Sequence, residues 1–207
     1  MSTQHTTAPT DDSWEQVREF AYSFVRVGEV EVAPLESGDK RICAESPIAF
    51  TNLPFANSSS MDGWAVRGNG PWTLTTEQQL DVNQASILTT GAVLPVGATA
   101  IVRTENGTLS GDQLTSSSAN TGDIRIAGEE CAVGQTLCPP GVTLNPALIG
   151  LLAATGHDHI KVFAQPFIQI IITGDELLTS GLPTREHVRD SLGIQIPMWL
   201  KRMGAHV

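Results

Sequence analysis

The chain has 207 residues, 41% of them hydrophobic and 16% charged, which is enough for one large domain or two to three small ones. It carries 22 Asp and Glu against 12 Lys and Arg, so its net charge of −10 disfavours nucleic acids and anionic membranes as partners. No apolar run approaches the roughly 20 residues that span a bilayer, and residues 1–12 are polar, without the apolar core of a signal peptide. We therefore expect a soluble, cytoplasmic protein.

The first predicted element is an amphipathic helix. Ser13 with Gln16 three residues later is typical of a capping box, and apolar residues at 14, 17, 20, 21 and 24 follow helical spacing. Gly28 is expected to end this helix. Residues 29–32 then alternate as in a short strand.

Residues 47–121 have a β texture. They are rich in Thr, Ser, Gly and Asn, contain short β-branched runs and lack a helical period. This pattern predicts a small β-barrel or sandwich. We interpret the segment as an insertion, so that the flanking pieces pack together as a second domain that the chain leaves and re-enters.

The C-terminal part predicts a further helix, a buried strand and a last helix. The leucines of residues 144–155 are helically spaced, with Asn145 near the start and Gly156 as the C-cap. The apolar run 167–172 predicts a parallel strand covered on both faces. A helix over about residues 193–203 would complete a βα pair.

Four sequence boxes follow one another along the chain. They are S-x-M-D-G-[aromatic]-A-V-R at 59–67, T-T-G-A-x-L-P at 89–95, R-x-x-G-E at 125–129 and T-G-D-E-L at 173–177. Together they resemble the molybdopterin molybdenumtransferase family, to which bacterial MoeA and animal gephyrin belong. One box alone is weak evidence, whereas four in the family's order are a specific signal.

The resemblance implies a multidomain α+β fold. Residues 1–12 are then a polar tail, 13–46 with 122–165 a discontinuous α/β hinge domain, and 47–121 an inserted small β-barrel domain. Residues 166–207 are the start of a truncated, doubly wound α/β molybdopterin-binding domain. Family members are roughly twice as long as this chain, which ends at Val207, so we expect it to carry only the N-terminal half and to be inactive alone.

Asp62 and Thr90 are the candidate catalytic residues of the β-domain. Taken alone, Asp62 between a polar run and a glycine reads as an Asx-turn residue, and Thr90 as a hydroxyl at a strand end. The resemblance implies that both side chains reach across a dimer interface toward the other subunit's pterin domain.

The T-G-D-E box supplies the second group of candidates. Ligands of open α/β sheets bind beyond the carboxyl ends of strands, and residues 173–176 directly follow the predicted strand. Adjacent acids there can hold Mg²⁺ and through it phosphates; the alternative is that Asp175 caps a turn and Glu176 is merely solvated. The resemblance favours Asp175 and Glu176 as metal ligands, Glu176 as catalytic, and Thr173, Gly174 and Asp175 as substrate contacts.

Asp190 and Ser191 are further candidate substrate contacts on the next loop. Relatives typically have D-[ST]-N here, and this chain has Leu192 where the asparagine belongs. The change removes an amide that could both donate to and accept from a pterin or phosphate.

The function implied by the resemblance is molybdenum cofactor biosynthesis. The reaction inserts molybdate into adenylylated molybdopterin and releases AMP, with Mg²⁺ as cofactor. A homodimer is expected, with molybdopterin adenylyltransferase as an upstream partner. The alternative is a truncated or degenerate, non-catalytic member that acts as a dimerising or binding module, which Leu192 and a shortened connection between Arg67 and Thr89 favour.

Overall fold

The computed structural model describes residues 13–207, so the predicted polar tail lies outside the described residues. Within them the fold is mixed α/β. The helices are α1 (Trp14–Ser23), α2 (Pro146–Ala154) and α3 (Leu192–Arg202). The strands are β1 (Val30–Pro34), β2 (Ser58–Ser59), β3 (Gly63–Arg67), β4 (Trp72–Leu74), β5 (Gln84–Leu88), β6 (Ala100–Arg103), β7 (Gly107–Ser110), β8 (Gln113–Ser116), β9 (Ile124–Arg125), β10 (His159–Phe163), β11 (Leu177–Leu178) and β12 (Val188–Arg189).

The two helix starts predicted from capping residues are confirmed. Ser13 Oγ accepts from Gln16 N, and Ser13 N donates to Gln16 Oε1 at 2.7 Å, which completes the capping box of α1. Asn145 Oδ1 accepts from Leu148 N at 2.9 Å at the start of α2. The end of α1 differs from the prediction, because the helix stops at Ser23 and does not extend to Gly28.

A curled sheet occupies the segment in which the sequence predicts a β-domain. Its six strands lie in the order β6-β3-β5-β4-β8-β7, with antiparallel neighbours except for the parallel pair β4 and β5. Val102 on β6 and Leu114 on β8 belong to one buried cluster although three strands separate them in the sheet. The sheet therefore bends around this cluster.

Strand β3 is packed on both of its faces. Val66 lies in the cluster with Val102 and Leu114, whereas Ala65 packs with Leu80 and Leu88 on the opposite side. All six side chains are fully or nearly fully buried. The strand is thus a rigid base for Asp62, which immediately precedes it.

The chain divides into two compact units, one of Val32–Lys161 and the other of Val162–Val207 with the residues up to Glu31. The hinge, β and pterin-binding domains named from the sequence stay a prediction. Within residues 13–207, three two-stranded sheets accompany the large one, β1 with β10, β2 with β9, and β11 with β12. No helix within residues 13–207 is both long and apolar enough to cross a membrane.

The predicted parallel strand at residues 167–172 is wrong. The segment forms no regular strand, and Phe167 and Ile171 are 88% and 76% exposed. Its pairing is limited to a single bridge from Phe167 to His206 and a hydrogen bond from Ile168 N to His206 O. An apolar run becomes a buried strand only where neighbouring strands pair with its edges and helices cover its faces, and the described residues supply neither.

Candidate functional site

The structure brings Asp62 and Thr90 into direct contact. Asp62 stands just before β3 and Thr90 just after β5, and the antiparallel register of these strands places Gly63 opposite Leu88. Asp62 Oδ1 accepts two hydrogen bonds, one from Thr90 N at 2.6 Å and one from Thr90 Oγ1 at 2.9 Å. The two candidates named separately in the sequence thus form one unit.

Asp62 is an exposed carboxylate with a fixed orientation. The backbone N–H of Thr90, and then its hydroxyl, lower the pKa of the Asp62 carboxyl, because both hydrogen bonds favour the charged form. Its Oδ2 has no hydrogen-bond partner among residues 13–207. A carboxylate with a lowered pKa is a weak base at neutral pH. It is better suited to accept a hydrogen bond from a ligand or to bind a cation.

Gly63 is required by the close approach of β3 and β6. Its φ is +154°, and a Cβ at this position would collide with the carbonyl oxygen of Val102. The neighbouring peptide group is also held, since Asp62 O accepts from Thr104 N at 3.0 Å. The glycine of the M-D-G box therefore lets Asp62 stand directly at the start of β3, an inner strand of the sheet.

Four of the other candidates line two cavities in the unit that contains Val162–Val207. β11 and β12 pair in parallel, with Leu177 opposite Val188. Gly174 and Asp190 line a cavity of about 400 Å³, and Thr173, Asp190 and Ser191 line one of about 480 Å³. The structure thus gathers four of the predicted substrate contacts in one region.

Asp175 and Glu176 lie outside the linings of these cavities. Both are exposed. The Glu176 carboxylate folds back over Gly174, where a Cβ would come within 2.8 Å of its oxygens. No three His, Cys, Asp or Glu side chains of the described part of the chain converge as a metal site. The predicted metal ligands are therefore two adjacent, solvated carboxylates.

Asp190 already has a structural partner. Its Oδ1 accepts from Gly193 N at 2.8 Å and so caps the first turn of α3. Leu192, the residue that replaces the relatives' asparagine, is the first residue of this helix and is 58% exposed. Its side chain offers no polar group to a ligand.

The main partner of Arg103 is not evident from the sequence. Glu105, two residues along the chain, lies 3.9 Å from the Arg103 guanidinium. The stronger contact is with Asp123, which is 5% exposed and accepts from Arg103 Nε at 2.7 Å. Asp123 lies 20 residues from Arg103 on another element, so no local sequence pattern identifies it as the partner. The sequence shows only that its carboxylate follows Thr121 and Gly122.

The chain is similar to known proteins in sequence and in structure. The family described as MoeA N-terminal region (domain I and II) matches residues 9–156. A protein of Mycobacterium tuberculosis named molybdopterin molybdenumtransferase 2 is 29% identical over 84% of this chain and 48% of its own length. The molybdopterin molybdenumtransferase of Haemophilus influenzae is 28% identical over 86% of this chain and 48% of its own length. The chain spans about half the length of these curated relatives.

Solved structures show the same fold. Two crystal structures of molybdopterin biosynthesis MoeA protein from Pyrococcus horikoshii superpose with TM-scores of 0.73 and 0.72. They are 23% and 21% identical, and the similarity covers 93% and 86% of this chain but 55% and 53% of theirs. Since the family match extends over more than half of its residues, the chain belongs to the MoeA N-terminal family.

Proposed function

We propose that this chain acts in molybdenum cofactor biosynthesis, as the N-terminal part of an enzyme that inserts molybdate into adenylylated molybdopterin and releases AMP. The relatives' names support the pathway. The observation that carries the proposal is the Asp62 carboxylate, which is ionised, held by Thr90 and exposed at the start of β3. Such a group can orient a reacting ligand without itself moving.

Each candidate side chain has a role in this proposal. Asp62 accepts a hydrogen bond from the substrate or orients its reacting group, and Thr90 holds Asp62 in place. Thr173, Gly174, Asp190 and Ser191 contact the pterin or its phosphates from the walls of the two cavities. Release of AMP requires neutralisation of a phosphoanhydride, for which acidic residues alone are unsuited.

Asp175 and Glu176 fit a magnesium ion that is shared with the substrate. Mg²⁺ keeps several waters and is usually bound by one or two carboxylates together with substrate phosphates. Two adjacent solvated carboxylates agree with that donor set, and a site built from protein groups alone would need more ligands. When bound, the ion would neutralise phosphate charge and polarise the bond to the leaving AMP.

We expect the chain to form a homodimer. No residue of α1 is buried, and its apolar residues Trp14, Val17 and Tyr22 are exposed, which favours a covered surface in the assembly. Sedimentation or light scattering at micromolar concentration is expected to give about twice 22.0 kDa. A monomer at all accessible concentrations would leave Asp62 without a second subunit's site to complete.

A fusion experiment tests the proposed function. We expect the chain joined to the C-terminal half of a MoeA relative to restore molybdoenzyme activity in a strain that lacks its own molybdenumtransferase. The chain alone is expected to restore none, because it spans about half the length of its relatives. Restoration by the chain alone would overturn this division of roles.

The second candidate function is a non-catalytic dimerising or binding module. It is favoured by Leu192 in place of the asparagine and by the use of the Asp190 carboxylate as a helix cap. A fusion that folds and dimerises but restores no activity, together with recovery of activity by Leu192→Asn, would favour this candidate for the natural sequence.

A further inference from the structure

A partly buried ion pair of Arg103 and Asp123 is connected to the loop that carries Asp62. Arg103, the last residue of β6, donates from Nε to Asp123 Oδ2 at 2.7 Å and from Nη2 to Asp123 Oδ1 at 2.8 Å. Asp123 is buried, whereas Arg103 is partly exposed. The two parallel hydrogen bonds match the planar fork of a guanidinium, a geometry that a lysine cannot reproduce.

The backbone of Asp123 holds the loop in turn. Its carbonyl oxygen accepts from Ser60 N at 2.9 Å and from Ser60 Oγ at 2.8 Å. Ser60 is two residues before Asp62. Because of these two hydrogen bonds, a displacement of Asp123 would also displace the segment that positions the Asp62 carboxylate.

A further backbone hydrogen bond connects the loop with the end of β6. Asp62 O accepts from Thr104 N, the residue that follows Arg103. Ser59, fully buried, accepts at its carbonyl from Gly91 N at 2.7 Å, next to Thr90. Hydrogen bonds thus join three segments into one ring: the loop with Asp62, the turn with Thr90 and the end of β6. Within this ring, the Arg103–Asp123 ion pair is the link formed by two charged side chains.

We propose that Arg103 and Asp123 are positioning residues for Asp62, which keep its carboxylate within reach of both Thr90 hydrogen bonds. The catalytic importance of this positioning rests on the proposed function, whereas the support of the Asp62–Thr90 hydrogen bonds does not depend on it. Hydrogen bonds from Arg103, against the cost of burial, lower the pKa of Asp123, so the pair stays charged and intact at neutral pH. Loss of the pair leaves a buried group unpaired and loosens the ring.

The test uses the amide proton of Thr90 as a reporter. Because this N–H donates to Asp62 Oδ1, its chemical shift follows the titration of Asp62 in an NMR pH series on the 207-residue chain. We expect Asp123→Asn to raise the pKa of Asp62 toward its ordinary value, since weaker Thr90 hydrogen bonds stabilise the carboxylate less. Arg103→Lys keeps the charge but not the fork, and a smaller shift in the same direction is expected.

A matched control separates positioning from general destabilisation. Leu114→Ala opens a cavity in the buried cluster of the same sheet and is expected to lower the unfolding midpoint. It is expected to leave the Asp62 titration unchanged, because Leu114 makes none of the hydrogen bonds of the ring. An unchanged Asp62 pKa in folded Asp123→Asn or Arg103→Lys overturns the proposal, as does a shift of equal size in Leu114→Ala. If neither ring variant folds, the pair serves folding alone and the positioning role is rejected.

A kinetic readout distinguishes the failure of this inference from that of the proposed function. In the fusion enzyme, Asp123→Asn is expected to lower kcat by roughly 10-fold with little change in KM, as for a small misplacement of a reacting group. A shift of the Asp62 titration without any rate effect of Asp62→Asn would retain the positioning role and refute the catalytic one. If Asp62→Asn lowers the rate but the Asp62 titration does not shift in Asp123→Asn or Arg103→Lys, the catalytic role stands and the positioning role is refuted.

Discussion

Replacement of Asp62 by asparagine in the fusion enzyme is expected to lower the rate of molybdenum cofactor formation by about 10²-fold or more. Asparagine keeps the shape of the side chain, and its Oδ1 can still accept from Thr90 N. The variant therefore removes charge with little disturbance of the turn. Glu176→Gln is expected to have an effect of similar size, because a neutral amide binds a cation far more weakly than a carboxylate does.

The measurement is the rate of cofactor formation by purified variants, with the thermal unfolding midpoint recorded for each. Two exposed acids provide controls. They are Asp112→Asn in the β7–β8 turn and Glu186→Gln in the segment between β11 and β12. Neither control should change the rate. Wild-type rates in Asp62→Asn and Glu176→Gln would return both acids to the alternative roles of a turn residue and a solvated loop charge.

Gly63→Ala is expected to lower the free energy of unfolding by at least about 3 kcal/mol, because the new Cβ collides with the backbone of β6 and the φ of this residue is strained for an L side chain. The collision is with a backbone carbonyl oxygen of β6, so no flexible side chain can move aside. Urea unfolding followed by circular dichroism measures the change.

Gly150→Ala is the matched control for that substitution. Gly150 lies within α2, is exposed and has open space where a Cβ would be added. Alanine favours the helix by about 0.5–1 kcal/mol over glycine, so this variant should be slightly more stable than the parent. Equal stability of Gly63→Ala and the parent would contradict the close approach of β3 to β6.

Features specified by neighbouring residues could be predicted from the sequence. The capping box at Ser13 and the cap at Asn145 depend on residues three positions apart, and both occur as predicted. The β texture of residues 47–121 likewise predicted the segment in which the curled sheet forms. For the two caps, the signal and the structure lie within three residues of one another.

Features that depend on residues far apart in the chain could not be predicted from the sequence. The run 167–172 has the composition of a buried strand, but burial is decided by neighbours that its own residues do not specify. Asp62 and Thr90 were both candidates, yet their contact follows from the register of β3 and β5. The pairing of Arg103 with Asp123 depends in the same way on how two separate elements meet.

Mixed dimers of the fusion enzyme test most directly whether Asp62 acts in a site completed by a second subunit. One subunit carries Asp62→Asn and the other Glu176→Gln, and dimers of this composition are isolated with two different affinity tags. If the residues meet across the interface, one of the two sites keeps both acids, and about half of the parent's activity is expected, far above that of either mutant homodimer. If the mixed dimer is as inactive as the two homodimers, Asp62 and Glu176 act within one chain, and the account of a shared site is wrong.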